Sequence, residues 1–255
     1  MEKIITSLKK AKNHVVITIE KKEIICQPEL IIKYHLAVGK TIDDETYQNF
    51  INENNYLSCL RLALEKLKRM MTVEEMRLYL SETTFPLGIQ KQVVHYLIEK
   101  KYLDDASYAK TYLTLKKHSL GPSMIEYNLK QKGLKEGLIN VLWSSYDEYE
   151  MLYPMIQNKL KQLTKKTKKQ AFQSVKMNML SKGFHLEVID KVLVDLSDFV
   201  SFDEEKLLES SYQKIRKNYQ NKLSGYELDY KIKEKLYQKG FSYDLIKAYM
   251  EKNKL

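Results

Sequence analysis

The sequence predicts a mainly α-helical chain: tandem three-helix repeats in an elongated curved array, preceded by a small N-terminal β-hairpin and helices. Three observations predict it. Gly and Pro are scarce, 8 and 4 in 255 residues, while Lys, Glu, Leu and Ile abound, a composition that favours helices over a turn-rich β fold. From Tyr56 onward apolar residues recur at helical spacing. A short phrase that ends one helix and opens the next recurs, with its glycines (Gly133, Gly183, Gly240) 50 and then 57 residues apart, the period of a repeat array.

The elements follow in order. Val15 to Glu20 is β-branched, Lys21-Lys22-Glu23 interrupts, and Ile24-Ile25-Cys26 follows, which reads as a β-hairpin. Such a hairpin is marginal alone and should pack on helices. Pro28 suits the first position of a helix from Glu29 to Val38 that Gly39 closes. Thr41 and Asp44 mark the start of a second short helix, about Asp43 to Glu53. These elements form an N-terminal segment, 1–55. Four three-helix units are expected after it, at 56–103, 104–146, 147–200 (Lys-rich) and 201–255.

Each unit opens with a longer helix: Leu57 to Lys68, Asp105 to His118, Tyr149 to Leu163 and Asp203 to Asn221. Thr72-Val73-Glu74-Glu75, Ser201-Phe202-Asp203-Glu204 and Ser224-Gly225-Tyr226-Glu227 fit capping boxes, and Gly121-Pro122 opens another helix. The recurring phrase is Leu129-Lys130-Gln131-Lys132-Gly133-Leu134, Met179 to Phe184 and Leu236 to Phe241, with a degenerate copy from Leu80 to Phe85. Its first hydrophobe anchors the last helical turn, and its glycine accepts a left-handed conformation. Apolar pairs at helical spacing follow: Ile139 and Leu142, Ile189 and Leu193, Ile246 and Met250. Trp143 is expected in the core.

Composition narrows function. Net charge is +10, almost all from lysine, with arginine only at Arg61, Arg69, Arg77 and Arg216. Lysine is a hydrated point charge suited to phosphate fields rather than to bidentate base reading. Cys26 and Cys59 have no metal-ligand spacing and read as buried thiols in a reducing compartment. Neither a signal peptide nor a membrane span is expected. The five histidines are scattered, and no nucleotide-binding loop is present, so no catalytic residue, metal or cofactor is implied.

Between Met151 and His185 there are eight lysines (Lys159, Lys161, Lys165, Lys166, Lys168, Lys169, Lys176, Lys182) and no acid. Like charges held close repel unless a polyanion relieves them, so phosphate contact competes with a plain solvated face. Lys110, Lys116, Lys117, Lys130 and Lys132 form a second cluster, with Tyr108 and Tyr112 as stacking candidates or core. Asp104-Asp105 reads as a helix start rather than a paired-carboxylate catalyst, because adjacent positions do not share a helix face; Tyr102 should pack at its entry.

The phrase Tyr102-Leu103-Asp104-Asp105-Ala106-Ser107-Tyr108-Ala109 resembles GYLDD…[FY]A, which joins the first two repeats of RecX proteins. Lys68-Arg69-Met70-Met71-Thr72 is similar to that family's R-x-R-[ST] helix start. Gly121, Ile125, Leu129, Lys132 and Gly133 match its second-repeat pattern. The chain departs from the pattern at Lys101 (usually Gly), at Thr84 (the repeat glycine) and at Met70-Met71. The resemblance covers nearly the whole chain and is strongest from Tyr56 to Leu142. It implies a cytoplasmic, usually inhibitory modulator of the RecA filament on single-stranded DNA, acting on ATPase, strand exchange and co-protease activity in recombination, repair and the SOS response. Duplex DNA is a further candidate partner, and a self-contained array is expected to act as a monomer. The alternative is a single-stranded nucleic-acid-binding repeat protein without a protein target. An enzyme, such as a nuclease, finds no clustered carboxylates or nucleophile dyad.

Overall fold

The structure is a computed structural model describing residues 2–12, 14–199 and 201–253. It is mainly helical, with a small antiparallel sheet at the N-terminus. The chain forms two compact units, 1–111 with 129–139, and 112–128 with 140–255.

In the first unit, β1 (Lys3–Lys10), β2 (Val15–Ile19), β3 (Lys22–Cys26) and β4 (Thr41–Ile42) form one sheet in the order β3-β2-β1-β4. The expected hairpin is therefore half of a larger sheet. Its turn is Glu20-Lys21, both at positive φ (47° and 75°), and Lys22 and Glu23 belong to β3. Alternate side chains Ile17 and Ile19 point into a core with Ile5, Cys26, Leu30 and Phe50. β1 carries a single fully buried residue, Ile5, so its sequence shows no strand-like apolar face.

α1 (Pro28–Lys33) ends earlier than expected, with Tyr34 as its cap and His35 at φ 48°. α2 (Asp44–Lys66) is one helix of 23 residues where the sequence suggests two. Asp43, not Thr41, caps it, accepting from the Thr46 amide at 2.7 Å. The polar stretch near Asn54 is no break. Asn54 is buried, accepts from the Gln27 amide at 3.0 Å and donates to Ile25 O at 2.8 Å, pinning mid-helix to the end of the sheet. The far half of α2 packs with α3 (Val73–Ser81) and α4 (Leu87–Glu99) around Cys59, Met76, Leu80 and Leu97. Thr72 and Glu75 form the expected capping box.

α5 (Asp105–Lys116) and α6 (Pro122–Gln131) contribute to both units, and α7 (Glu136–Asn140) belongs to the first up to Ile139. α7 runs into a 3₁₀ turn, Val141–Ser145, so the helix expected through Trp143 is shorter. Trp143 is half-buried, edge-on to Tyr146 at 5.3 Å. In the second unit, α8 (Glu148–Lys161), α9 (Lys168–Ser181) and α10 (Leu186–Asp195) enclose one core. α11 (Glu204–Tyr219), α12 (Gly225–Gln238) and α13 (Tyr243–Lys252) enclose another. Two expected capping boxes differ: Asp203 rather than Ser201 caps α11, and Ser224 makes no side-chain cap bond.

The recurring phrase is a helix-ending motif with a second role. Gly133, Gly183 and Gly240 sit at φ 80°, 86° and 88°. In the first copy Leu134 N donates to Leu129 O (3.1 Å) and Gly133 N to Lys130 O (3.0 Å), the paired bonds of a Schellman motif, and the other two copies repeat them. The lysine carbonyl just before each glycine also accepts from the start of an earlier helix. Thr72 Oγ1 donates to Lys132 O (2.7 Å), Gly121 N to Lys182 O (2.8 Å) and Thr167 Oγ1 to Lys239 O (3.1 Å). α3, α6 and α9 are thus docked at their N-termini on the loops that follow α6, α9 and α12.

Candidate nucleic-acid interface

The acid-free stretch from 151 to 185 folds into α8, the loop 162–167 and α9. Thr167 caps α9, accepting from the Gln170 amide at 3.2 Å, and this places Lys165 to Lys169 around the helix start. Lys161, Lys165 and Lys169 are exposed and Lys159 half-buried. Lys166 Nζ donates to Ser174 Oγ (3.0 Å) and Lys168 Nζ to Ser197 O (2.8 Å), both neutral partners. Among the described residues none of these six makes an ion pair within 4.0 Å. Lys176 is different, with its Nζ 2.6 Å from an Asp190 oxygen. Glu204 accepts from the backbone amide of Lys168 at 2.8 Å, so an acid does reach the run, supplied by α11.

The second cluster is shared between the two units. Lys110, Lys130 and Lys132 belong to the first unit, Lys116 and Lys117 to the other. Lys130 pairs with Glu136 at 3.4 Å. Lys132 pairs with Glu75 at 2.5 Å and lies 5.7 Å from the centre of the Tyr108 ring; its hydrogen bond to Glu75 holds its pKa above the usual lysine range. Tyr108 is buried, a core residue under Lys132 rather than a stacking platform. Lys68 and Arg69 are exposed just past the end of α2.

The residues from Tyr102 to Asp105 build a helix entry. Leu103 is buried while Tyr102 is 58% exposed, so the leucine and not the tyrosine packs there. Asp104 Oδ1 accepts from the amides of Ala106 and Ser107 (3.0 and 3.1 Å), and the Ser107 bonds keep its carboxyl below the usual range. Asp105 accepts from the Val73 amide at 2.9 Å and so joins the start of α5 to the start of α3. Sequence reasoning passed over the exposed tyrosines Tyr226, Tyr230 and Tyr237 of α12, although their i, i+4, i+11 spacing marks one helix face. Among the described residues no group of three His, Cys, Asp or Glu could hold a metal ion. No helix among them is long and apolar enough to cross a membrane.

Residues 203–250, which cover α11, α12 and most of α13, match the family described as RecX, third three-helix domain. The regulatory protein RecX of Halalkalibacterium halodurans is 31% identical over 229 residues, 87% of this chain and 86% of that protein. That of Leuconostoc mesenteroides is 29% identical over 227 residues, 85% and 84% of the two chains. A crystal structure of regulatory protein RecX superposes with a TM-score of 0.55 at 19% identity, covering 74% of this chain and 98% of that one. RecX from Lactobacillus salivarius superposes at 0.53 and 19% identity, covering 58% of this chain and 99% of the other. These two likenesses show the fold. The long match to the Halalkalibacterium protein at 31% identity places the chain in the RecX family of regulatory proteins.

Proposed function

We propose that this protein is a non-catalytic regulator of the RecA recombinase. It binds the RecA filament on single-stranded DNA in the cytoplasm and restrains ATP turnover, strand exchange and co-protease activity. The observation that carries the reading is the set of six lysines from Lys159 to Lys169 whose ammonium groups make no ion pair within 4.0 Å among the described residues, in a chain of net charge +10. Ammonium groups not engaged in ion pairs are suited to phosphates. If all six meet the backbone of a single strand, log K falls against log salt with a slope of about −4.

The test is a strand-exchange and ATPase assay with the cognate RecA. Inhibition at or below stoichiometric ratio is expected. The exposed lysines give the cleanest variant: Lys161→Glu, Lys165→Glu and Lys169→Glu together should weaken inhibition at unchanged helical content. Full inhibition by that variant would reduce the run to a solvated face. Equal affinity for bare and RecA-coated strands would favour a nucleic-acid-binding protein without a protein target.

A further inference from the structure

α12 carries an exposed tyrosine stripe that the lysine-based reading does not use. Tyr226, Tyr230 and Tyr237 are 83%, 62% and 61% exposed. At 100° per residue their directions fall within about 40° of one another, and Lys233 lies about 20° outside them. The core side of the same helix, Leu228, Ile232 and Leu236, points roughly 100–180° from the centre of the stripe. From Tyr226 to Tyr237 the helix rises about 16 Å.

Three large rings left in water on one face are not needed to hold the fold. Their setting is basic at one end. Lys169 Nζ lies 5.9 Å from the centre of the Tyr237 ring, and Thr167 Oγ1 bonds Lys239 O at 3.1 Å, so the lysine-rich start of α9 abuts the C-terminal end of the stripe. The helix's acids, Glu227, Asp229 and Glu234, lie roughly 60–80° to either side, and Glu234 is paired with Lys231 at 2.6 Å. Aromatic rings beside cations are the arrangement that holds unpaired nucleic acid: the cations take phosphates, and the rings take bases of any sequence.

We infer that α12 is a base-stacking platform for single-stranded DNA, with Tyr226, Tyr230 and Tyr237 stacking unpaired bases while lysines at the start of α9 hold the adjoining phosphates. The inference rests on the proposal that single-stranded DNA is a partner, and it adds that the bases, not only the backbone, are recognised.

The experiment compares binding of the full chain to a labelled oligothymidylate and to an abasic strand of equal length, by fluorescence anisotropy at one salt concentration. Wild type should bind the thymidylate strand roughly tenfold more tightly or better, since each stacked base contributes several-fold. Changing Tyr226→Ala, Tyr230→Ala and Tyr237→Ala together should abolish that preference and leave abasic binding within about twofold. The Tyr→Phe triple variant should keep the preference, because stacking needs the ring and not the hydroxyl. Unchanged circular dichroism excludes misfolding. Equal wild-type affinity for both strands, or an Ala variant that still prefers thymidylate, overturns the platform. In that case weakening by the Lys161→Glu, Lys165→Glu, Lys169→Glu variant would leave the phosphate reading standing. An Ala variant that loses RecA inhibition with unchanged strand binding overturns the platform too and assigns the stripe to a protein partner. Failure of wild type to bind either strand overturns both.

Discussion

The substitution Gly121→Ala should destabilise the second unit strongly, although it adds one methyl group. A Cβ at Gly121 would stand 2.3 Å from Phe184 N and 2.4 Å from the carbonyl carbon and oxygen of Gly183. The neighbours are backbone and cannot rotate away. To restore contact distance, the start of α6 must withdraw by roughly 1 Å, a strain of the kind seen when a packed core is overfilled. That movement breaks two bonds, Gly121 N to Lys182 O (2.8 Å) and Ser123 N to Gly183 O (3.1 Å). Each backbone bond contributes about 1 kcal/mol, and a buried group left unpaired costs about 1–3 kcal/mol. Reduced freedom of the unfolded chain offsets about 0.4–1 kcal/mol. The net expectation is a loss of about 2–4 kcal/mol.

Gly88→Ala is the matched control. Nothing lies within 4 Å of its added Cβ, in the first turn of α4, so it should be neutral or stabilise by up to about 0.5–1 kcal/mol. Urea unfolding followed by circular dichroism and by Trp143 fluorescence reads both. The indole belongs to the same unit as Gly121, so the fluorescence transition should move to lower urea in that variant and stay in place for Gly88→Ala. A Gly121→Ala midpoint within about 0.5 kcal/mol of wild type would refute the docking argument, because surface substitutions fall in that range.

Other outcomes follow from local geometry. Lys101 holds φ 61° after α4, so Lys101→Gly should raise the stability of the first unit by about 0.5–1 kcal/mol, readable as a higher urea midpoint. Burial pushes the Cys26 thiol up to about 12 and the Cys59 thiol up to about 11; both should resist a disulfide reagent at pH 8 in the folded chain and react at once in urea. Lys132 has a pKa raised by Glu75, so the pair stabilises fully below the ordinary lysine pKa of about 10.4 and is lost as pH rises through the raised value. The urea-midpoint gap between wild type and Lys132→Met should accordingly hold steady from neutral pH to pH 9 and close at higher pH.

What could be read from the sequence was what local chemistry decides. The Thr72 capping box, the Pro122 start and the three glycine turns each need particular residues within six positions, and each stands where expected. β1 was not legible because its partners come from elsewhere and only Ile5 is buried. The continuity of α2 was hidden because Asn54, a poor residue for a helix interior, bonds to groups 27 and 29 residues away. The candidate site divides in the same way. The lysine run is visible as charge, but which lysines are engaged depends on Asp190, Ser197 and Glu204, which arrive from α10, the turn after it and α11. Charge counting therefore cannot distinguish Lys132 and Lys176, which pair with Glu75 and Asp190, from Lys165 and Lys169, which make no such pair among the described residues.

The glycine of the recurring phrase has two requirements upon it, and Lys101 tells them apart. A left-handed residue after a helix costs a β-substituted side chain about 1–2 kcal/mol, and Lys101 bears that cost at φ 61°. The turn alone therefore does not demand glycine. At Gly133 and Gly183, however, an added Cβ would lie 2.4 Å from Glu74 Cβ and 2.5 Å from Met124 N, and at Gly240 it would lie 2.9 Å from Thr167 Oγ1. These are the loops whose lysine carbonyls accept from Thr72, Gly121 and Thr167. Glycine is required there because another helix start docks against it. The period near 50 residues thus marks contacts between distant helices as well as helix ends. Gly183→Ala should in consequence cost more than Lys101→Gly gains, since it meets both the left-handed strain and the collision with α6.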